Sequence, residues 1–335
     1  MRQLFLLCVW VLCVGQMTRA NDFGLLIKES LVATVKASSE SLIEQNFQNI
    51  FSELPVTLNT AVKTEILELL KMKNYLNKVF GRGAHFFPEI ELAMIYNDVP
   101  QELKFITIIE SGLNHMINSP YGNVGFWQFS AESARSSGLI VNEHVDERLD
   151  PKRSSEAAAK YLKKLYDKYQ DWWLAVAAYN CGSKRVDTAL KGGSDYDYWD
   201  IRKSLPAVTQ EYIPKLIALI YLDQFQFDHE IEPESFYLDM KYSQETFIQG
   251  QFQLSTVCAD YFVSEEKLKN VNPFLKSDNF DTGAQGLMIR IPGEPTPVVV
   301  HNPEPAIVEE PKSRILEIVP PLVGYIKVKK VLATR

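Results

Sequence analysis

SSEAAAKYLKKLYDKYQDWWLAVAAYNCG, residues 154–182, carries two different helical signals back to back. In its first half Ala157, Tyr161, Leu162, Leu165 and Tyr169 recur at three- and four-residue steps with charged residues between them, which predicts an amphipathic helix over 154–169. In DWWLAVAAYN (171–180) apolar side chains surround the helix axis, which predicts a helix buried on nearly all sides. A buried helix needs other helices or a sheet packed around it, and the flanking sequence offers helices.

Upstream, LIKESLVATVKASSESLIEQNFQNIF and TAVKTEILELLKMKNYLNKVF have helical apolar spacing, so 22–80 is expected to be helical, with Gly81-Arg82-Gly83 as an interruption. A second helical block is expected from about Phe87 to about Asp228. Within it, Pro100 suits the first turn of a helix with Glu102 early and Glu110 late, and Asp150-Pro151 suits the start of the 154–169 helix. EYIPKLIALIYLDQF (211–225) predicts another helix, with Pro214 in its first turn. After about residue 230 short β-like runs alternate with one or two short helices, and GLMIRIPG (286–293) is expected to form a strand and turn. From Glu294 the chain is rich in Pro, Val and Glu, a linker composition, and YIKVKKVL near the end is either a docking strand or a tail. No internal repeat is visible. The fold class expected is mainly α, with a small α+β part.

The chain of 335 residues, 46% hydrophobic and 23% charged, is long enough for one large domain or two to three small ones. Its net charge of -7 disfavours a sequence-independent nucleic-acid binder. Arg2, the apolar LFLLCVWVLCVG and Thr18-Arg19-Ala20 resemble a cleavable secretory signal over 1–20; the stretch is shorter than the roughly twenty apolar residues of a spanning helix. Cys13 is an alternative lipidation site, but Leu12 precedes it where such signals carry a small residue. Cleavage would leave Cys181 and Cys258, which are expected to be unpaired. His85, His115, His144, His229 and His301 show no ligand spacing, and neither CxxC nor HExxH occurs, so neither a metal nor another cofactor is expected.

Three short stretches carry chemistry. In FITIIESGLN (105–114) an apolar run leads into Glu110, and Ser111-Gly112 loosens the backbone just after it. Ile106 and Ile109 lie near Glu110 on the helix surface, so the carboxyl is expected to be partly desolvated, its pKa raised, and the group able to hold a proton near neutral pH. Alone, an acid ending a helix is more often a solvated surface group. NSPYGNVGFWQF (118–129) places Gly122 and Gly125 three apart, followed by Phe126, Trp127, Gln128 and Phe129. Aromatic faces beside a hydrogen-bonding amide suit a sugar, while a core turn with buried aromatics is the plainer alternative. AAYNCG (177–182) ends the buried helix with Tyr179 and Asn180.

Taken together, ES at 110–111, SPYGNVGFWQF at 119–129 and AAYNCG at 177–182 resemble, in order and spacing, the three motifs of the soluble-lytic-transglycosylase, goose-lysozyme-like family. PQELKFITIIESGLN and EYIPKLIAL look most like its membrane-bound lytic transglycosylase D group, and the resemblance covers roughly 87–225. It implies a helical lysozyme-like fold. It also implies cleavage of the MurNAc–GlcNAc bond of peptidoglycan without water, leaving 1,6-anhydro-MurNAc ends. Residue by residue, it implies Glu110 as the catalytic acid, Ser119, Gln128, Tyr179 and Asn180 as substrate-binding residues, and the tyrosine near the carboxyl. One carboxyl then acts as acid and afterwards as base, whereas ordinary glycosidases need two. Glu132, Glu143, Asp146, Glu147 and Asp150 are the nearest further acids, and none stands out.

The chain departs from the family in three places. Phe129-Ser130-Ala131 replaces the usual Met-Pro or Ile-Pro, Cys181 replaces a small residue, and Val208 stands where a Glu often lies four residues before the tyrosine matched by Tyr212. A goose-type hydrolase and a peptidoglycan binder with a weakened site are the alternatives. Region 247–292 resembles a degenerate LysM module without its opening Gly-Asp. The expected organisation is a signal at 1–20, a helical region at 21–86, a catalytic domain at 87–230, a LysM-like module at 231–293 and a Pro-rich linker and tail at 294–335. Glycan strands are the expected partner, with no nucleic acid, membrane association left open, and a location in the periplasm or cell envelope.

Overall fold

The computed structural model describes residues 39–192, 196–235, 243–283 and 286–293. The signal-like segment 1–20 and the Pro-rich tail 294–335 lie outside the described residues. The architecture is mainly helical with a small strand-containing part, as the apolar periodicities imply. In chain order the helices are α1 (residues 39–47), α2 (Thr60–Leu70), α3 (Lys73–Tyr96), a 3-10 turn Gln101–Phe105, α4 (Ile106–Ser111), α5 (Ala131–Ser136), α6 (Pro151–Tyr169), α7 (Trp172–Cys181), α8 (Ser183–Ala189), α9 (Tyr198–Ile201) and α10 (Ala207–Gln224).

α7 is the centre of the helical layer. Asp171 caps it, accepting the Leu174 N–H at 2.7 Å, and Trp173 through Ala178 are all buried. Small side chains at Ala175, Ala177 and Ala178 let α6 and α10 approach closely. α6 begins as expected, with Asp150 accepting the Lys152 and Arg153 N–H groups and Pro151 in the first helical position. Its apolar face packs on α3 and α7. Lys104 is buried between the 3-10 turn and α3, where Glu91 accepts from it at 2.6 Å and the Phe87 and Phe105 rings flank it.

Two local expectations need correction. Gly81-Arg82-Gly83 does not interrupt a helix: α3 runs through it and through Pro88. Gly81 serves close packing instead, because a Cβ there would lie 2.0 Å from the Glu234 carbonyl oxygen. Nor is Pro214 in a first turn, since α10 starts at Ala207 and Pro214 is interior. A proline leaves the carbonyl four residues earlier without its helical donor. That carbonyl belongs to Gln210, and Arg202 Nε (2.5 Å) and the Tyr198 hydroxyl (2.9 Å) both donate to it.

A second, smaller core forms downstream. Strands β1 (Ser243–Ile248) and β4 (Leu287–Pro292) pair antiparallel from Ser243↔Pro292 to Ile248↔Leu287. Between them lie β2 (Gln251–Gln253), α11 (Leu254–Tyr261), α12 (Glu265–Val271) and β3 (Asn279–Asp281), with β2 and β3 also antiparallel. Leu254, Val257, Leu268, Phe274, Leu287 and Ile289 fill this core, and Val145 enters it from the helical part of the chain. Among the described residues no helix is long and apolar enough to cross a membrane. Cys181 and Cys258 are free.

Candidate active site

Glu110 ends α4, a helix of six residues whose Ile106, Thr107 and Ile108 are buried. Gly112 takes a left-handed conformation (φ 58°) just after it and returns its N–H to the Ile108 carbonyl at 2.9 Å. Arg82 of α3 donates to the Gly112 carbonyl at 2.8 Å, so the helix end is held by α3. The turn therefore presents Glu110 from a fixed backbone. Burial raises the Glu110 pKa, and a hydrogen bond donated by the Tyr212 hydroxyl to Oε1 at 2.6 Å opposes that rise. Desolvation is the larger effect, so the carboxyl holds its proton to higher pH than an ordinary glutamate.

Two phenols flank this carboxyl. Burial, and next the Glu110 charge, push the pKa values of Tyr179 and Tyr212 well above the ordinary tyrosine value. Both are therefore neutral donors at any physiological pH. Tyr212 spends its proton on Glu110. Tyr179 donates to the Trp127 carbonyl at 2.7 Å and so ties α7 to the glycine-rich loop.

That loop, 118–129, is a tight double turn. Asn118, Val124 and Phe129 form antiparallel bridges, the Ser119 N–H donates to the Asn123 carbonyl, and Ser119 Oγ accepts the Asn123 N–H at 3.0 Å. Gly125 has φ 80°, and a Cβ there would lie 1.9 Å from the Arg148 carbonyl oxygen, so only glycine fits. Gln128 adopts φ 50° and folds its amide back onto the Gly125 carbonyl at 2.9 Å. The aromatic platform expected from Phe126, Trp127 and Phe129 is not there, because all three are core residues. Phe126 packs edge-on against Phe86, and the Trp127 indole donates to Ser155 at 3.0 Å. The aromatic ring this loop exposes is Tyr121, 92% accessible.

Asn180 follows Tyr179 and accepts from the buried Thr209 hydroxyl at 2.7 Å. Glu110, Tyr179 and Asn180 thus meet around the first turns of α10. Ser119 and Gln128 stand in the loop, each engaged with loop backbone. Val208 is 70% exposed. Of the other acids, Asp146 accepts from Arg148, Glu147 accepts the Ile140 N–H, and Asp150 caps α6 and pairs with Arg290.

A carboxyl with raised pKa on α4, a phenol from α10 on it, and a glycine loop tied to α7 by a second phenol beside the carboxyl come together in one frame. Residues 88–201 match the Transglycosylase SLT domain. Over 166 residues the chain is 31% identical to the membrane-bound lytic murein transglycosylase D of Escherichia coli strain K12, covering 48% of this chain and 36% of that protein. Over 107 residues it is 34% identical to the membrane-bound lytic murein transglycosylase F of Pseudomonas fluorescens strain Pf0-1, covering 28% of this chain and 21% of that one. The matched segments thus span about a third or less of these relatives' length. Among solved structures, the 70 kDa soluble lytic transglycosylase of Escherichia coli aligns over 52% of this chain and 32% of its own, at 19% identity and a TM-score of 0.38.

The SLT match ends before α10, so Tyr212 and Thr209 are supplied to the site from beyond it. Sequence reasoning gave Tyr212 only as the match to a family tyrosine, with no role at the site, and passed over Thr209. The available signal was their spacing: positions three apart on one helix share a face. It also passed over Arg148, whose guanidinium is buried under the loop.

Proposed function

We propose that the chain is a peptidoglycan lytic transglycosylase that cleaves the MurNAc–GlcNAc β-1,4 bond without water. The observation that carries this reading is Glu110 itself, a desolvated carboxyl with one hydroxyl donor, Tyr212, on Oε1. Desolvation raises its pKa and so favours the protonated form, which can donate to the glycosidic oxygen as that bond breaks. The phenol then stabilises the carboxylate left behind. Charge at C1 is met by the substrate's own acetamide. The ionised Glu110 next takes the proton of the C6 hydroxyl as that oxygen bonds to C1, closing a 1,6-anhydro ring and restoring the acid. No second carboxylate is needed, and Asp146, Glu147 and Asp150 are committed to structural contacts.

In this reading Ser119, Gln128, Tyr179 and Asn180 line the substrate cleft, with Tyr179 also fixing the loop. Residues 231–293, where the β1–β4 pair encloses a β2–α11–α12–β3 order, serve as a LysM-like module, and the protein works in the cell envelope. The exposed apolar Val208, in place of the family's Glu, favours one other reading, a glycan binder with weakened turnover.

Mass spectrometry of material released from purified sacculi separates these. Anhydro muropeptides, one water lighter than hydrolysed ones, are expected from the wild type and lost in Glu110→Gln. New reducing ends would make the protein a hydrolase. Binding without release would make it a binder.

A further inference from the structure

The glycine-rich loop is gripped from below by one residue. The Arg148 guanidinium donates from Nη1 to the carbonyls of Gly122 (2.9 Å) and Phe129 (3.1 Å), the near and far limbs of the loop. Its Nε and Nη2 each donate to Asp146 at 2.8 Å, and its own carbonyl fills the space under Gly125. Both side chains are buried. A buried guanidinium pinned by a bidentate carboxylate is a rigid fork, so the two carbonyls it holds are fixed relative to each other.

The fork is in turn held by the second core. The Asp146 N–H donates to the Phe274 carbonyl at 2.9 Å, Lys276 N–H donates to the His144 carbonyl at 2.8 Å, and Val145 bridges Leu275. Val145 is 1% exposed and belongs to the downstream core. Four residues past Asp146, Asp150 caps α6 and accepts both terminal nitrogens of Arg290 on β4, at 2.7 and 3.1 Å.

We infer that the downstream strand-and-helix unit, β1 to β4, sets the geometry of the catalytic loop, through residues 144–148, with Arg148 as the positioning residue. The inference rests on the proposed active site for its catalytic consequence, but the mechanical linkage stands apart from it. Arg148 touches no reacting atom. It acts by holding the backbone on which Trp127 meets Tyr179 and on which Gln128 is presented. Displacing such groups by about 1 Å costs on the order of 100-fold in rate.

Two variants of the full chain test this by hydrogen exchange and by turnover of solubilised glycan strands. Arg148→Lys keeps the charge but cannot reach two carboxylate oxygens and two carbonyls from a single ammonium. Amides in 118–129 are expected to exchange about tenfold or more faster, which corresponds to a locally lost ~1.4 kcal/mol, while those of α7 and α10 are unchanged. kcat is expected to fall at least ~10-fold with KM nearly constant. Val145→Ala leaves Arg148 and Asp146 in place and loosens only the anchor in the second core. It is expected to speed exchange in 118–129 as well, and it decides the matter if Arg148→Lys does not fold.

Exchange that rises evenly along the chain, or stays confined to 243–293 in Val145→Ala, overturns the inference, as does wild-type kcat in Arg148→Lys. A wild type that releases no muropeptide refutes the proposed function, while the exchange results still judge the linkage.

Discussion

Replacing Tyr212 with Phe removes one oxygen from a buried site and leaves the ring packing in place. The lost hydroxyl donates to Glu110 Oε1 at 2.6 Å, a hydrogen bond that favours the ionised carboxyl. Hydrogen bonds to charged groups contribute about 1.5–3 kcal/mol, and 1.4 kcal/mol is a factor of ten. Tyr212→Phe should therefore move the Glu110 protonation equilibrium ~10–100-fold toward the acid form. The sign is definite: burial already raises the Glu110 pKa, Tyr212 opposes that rise, and removing the opposition raises it further. Two consequences are expected in kcat/KM measured against pH on solubilised glycan strands. The alkaline limb, where the general acid is lost, moves to higher pH. The plateau drops about tenfold or more, because the carboxylate formed after proton donation loses its stabilising partner. An alkaline limb that stays put or moves to lower pH would refute the assignment of that limb to Glu110.

Glu110→Gln should lower turnover by roughly 10²–10⁴-fold, the range of general acid–base catalysis, while raising thermal stability at pH 7 and not at pH 4. Since the folded carboxyl holds its proton to higher pH than the unfolded one, wild-type stability declines as pH rises through the window above the ordinary glutamate range, and the amide has no such decline; calorimetry at the two pH values checks this. Gly125→Ala should destabilise by about 2–4 kcal/mol in urea unfolding, because it combines strain at φ 80° with a Cβ 1.9 Å from the Arg148 carbonyl. His115, packed against Phe86 and Phe126, has its pKa lowered to about 4 by burial, so its ring resonances should not titrate between pH 6 and 8 in NMR. It should instead contribute stability that is complete above the unfolded value near 6.5 and is lost as pH falls toward 4.

The helices of the main core were legible because burial imposes periodicity. α6 and α7 could be bounded from Asp150-Pro151, Asp171 and the apolar pattern alone. The errors have a common cause in contacts made by residues distant in sequence. Gly81 looks like a break until the Glu234 carbonyl is seen against it. Pro214 looks like a helix start until Tyr198 and Arg202 are seen to satisfy the carbonyl it frees. Phe126 and Trp127 look like a sugar platform because a residue-type pattern cannot say which face of a loop is buried. Glu110 was only weakly marked by its own helix and stood out through the two motifs downstream, because the groups that bury it include Tyr179 and Tyr212 from other helices. Its phenol partner lies 102 residues away on α10, and nothing short of the fold joins the two.

The geometry of α10 also bears on Val208, which stands where the family that the chain resembles often carries a glutamate. Thr209 and Tyr212 lie three apart on α10, meeting Asn180 and Glu110 respectively. Val208 is four residues before Tyr212 and so projects from the same side, one turn nearer the helix start, where it is 70% exposed. A carboxylate at that position would sit in water, one helical turn from the Tyr212–Glu110 bond. In that solvated place it would keep an ordinary carboxylate character and, in the proposed reading, meet a bound glycan, leaving the proton inventory of the buried site as it is. Glu110, the group that exchanges a proton in the proposed mechanism, and the neutral phenols of Tyr212 and Tyr179 beside it are all present in this chain. In the proposed reading, the departure at Val208 therefore falls on how substrate is held and not on the acid and base steps.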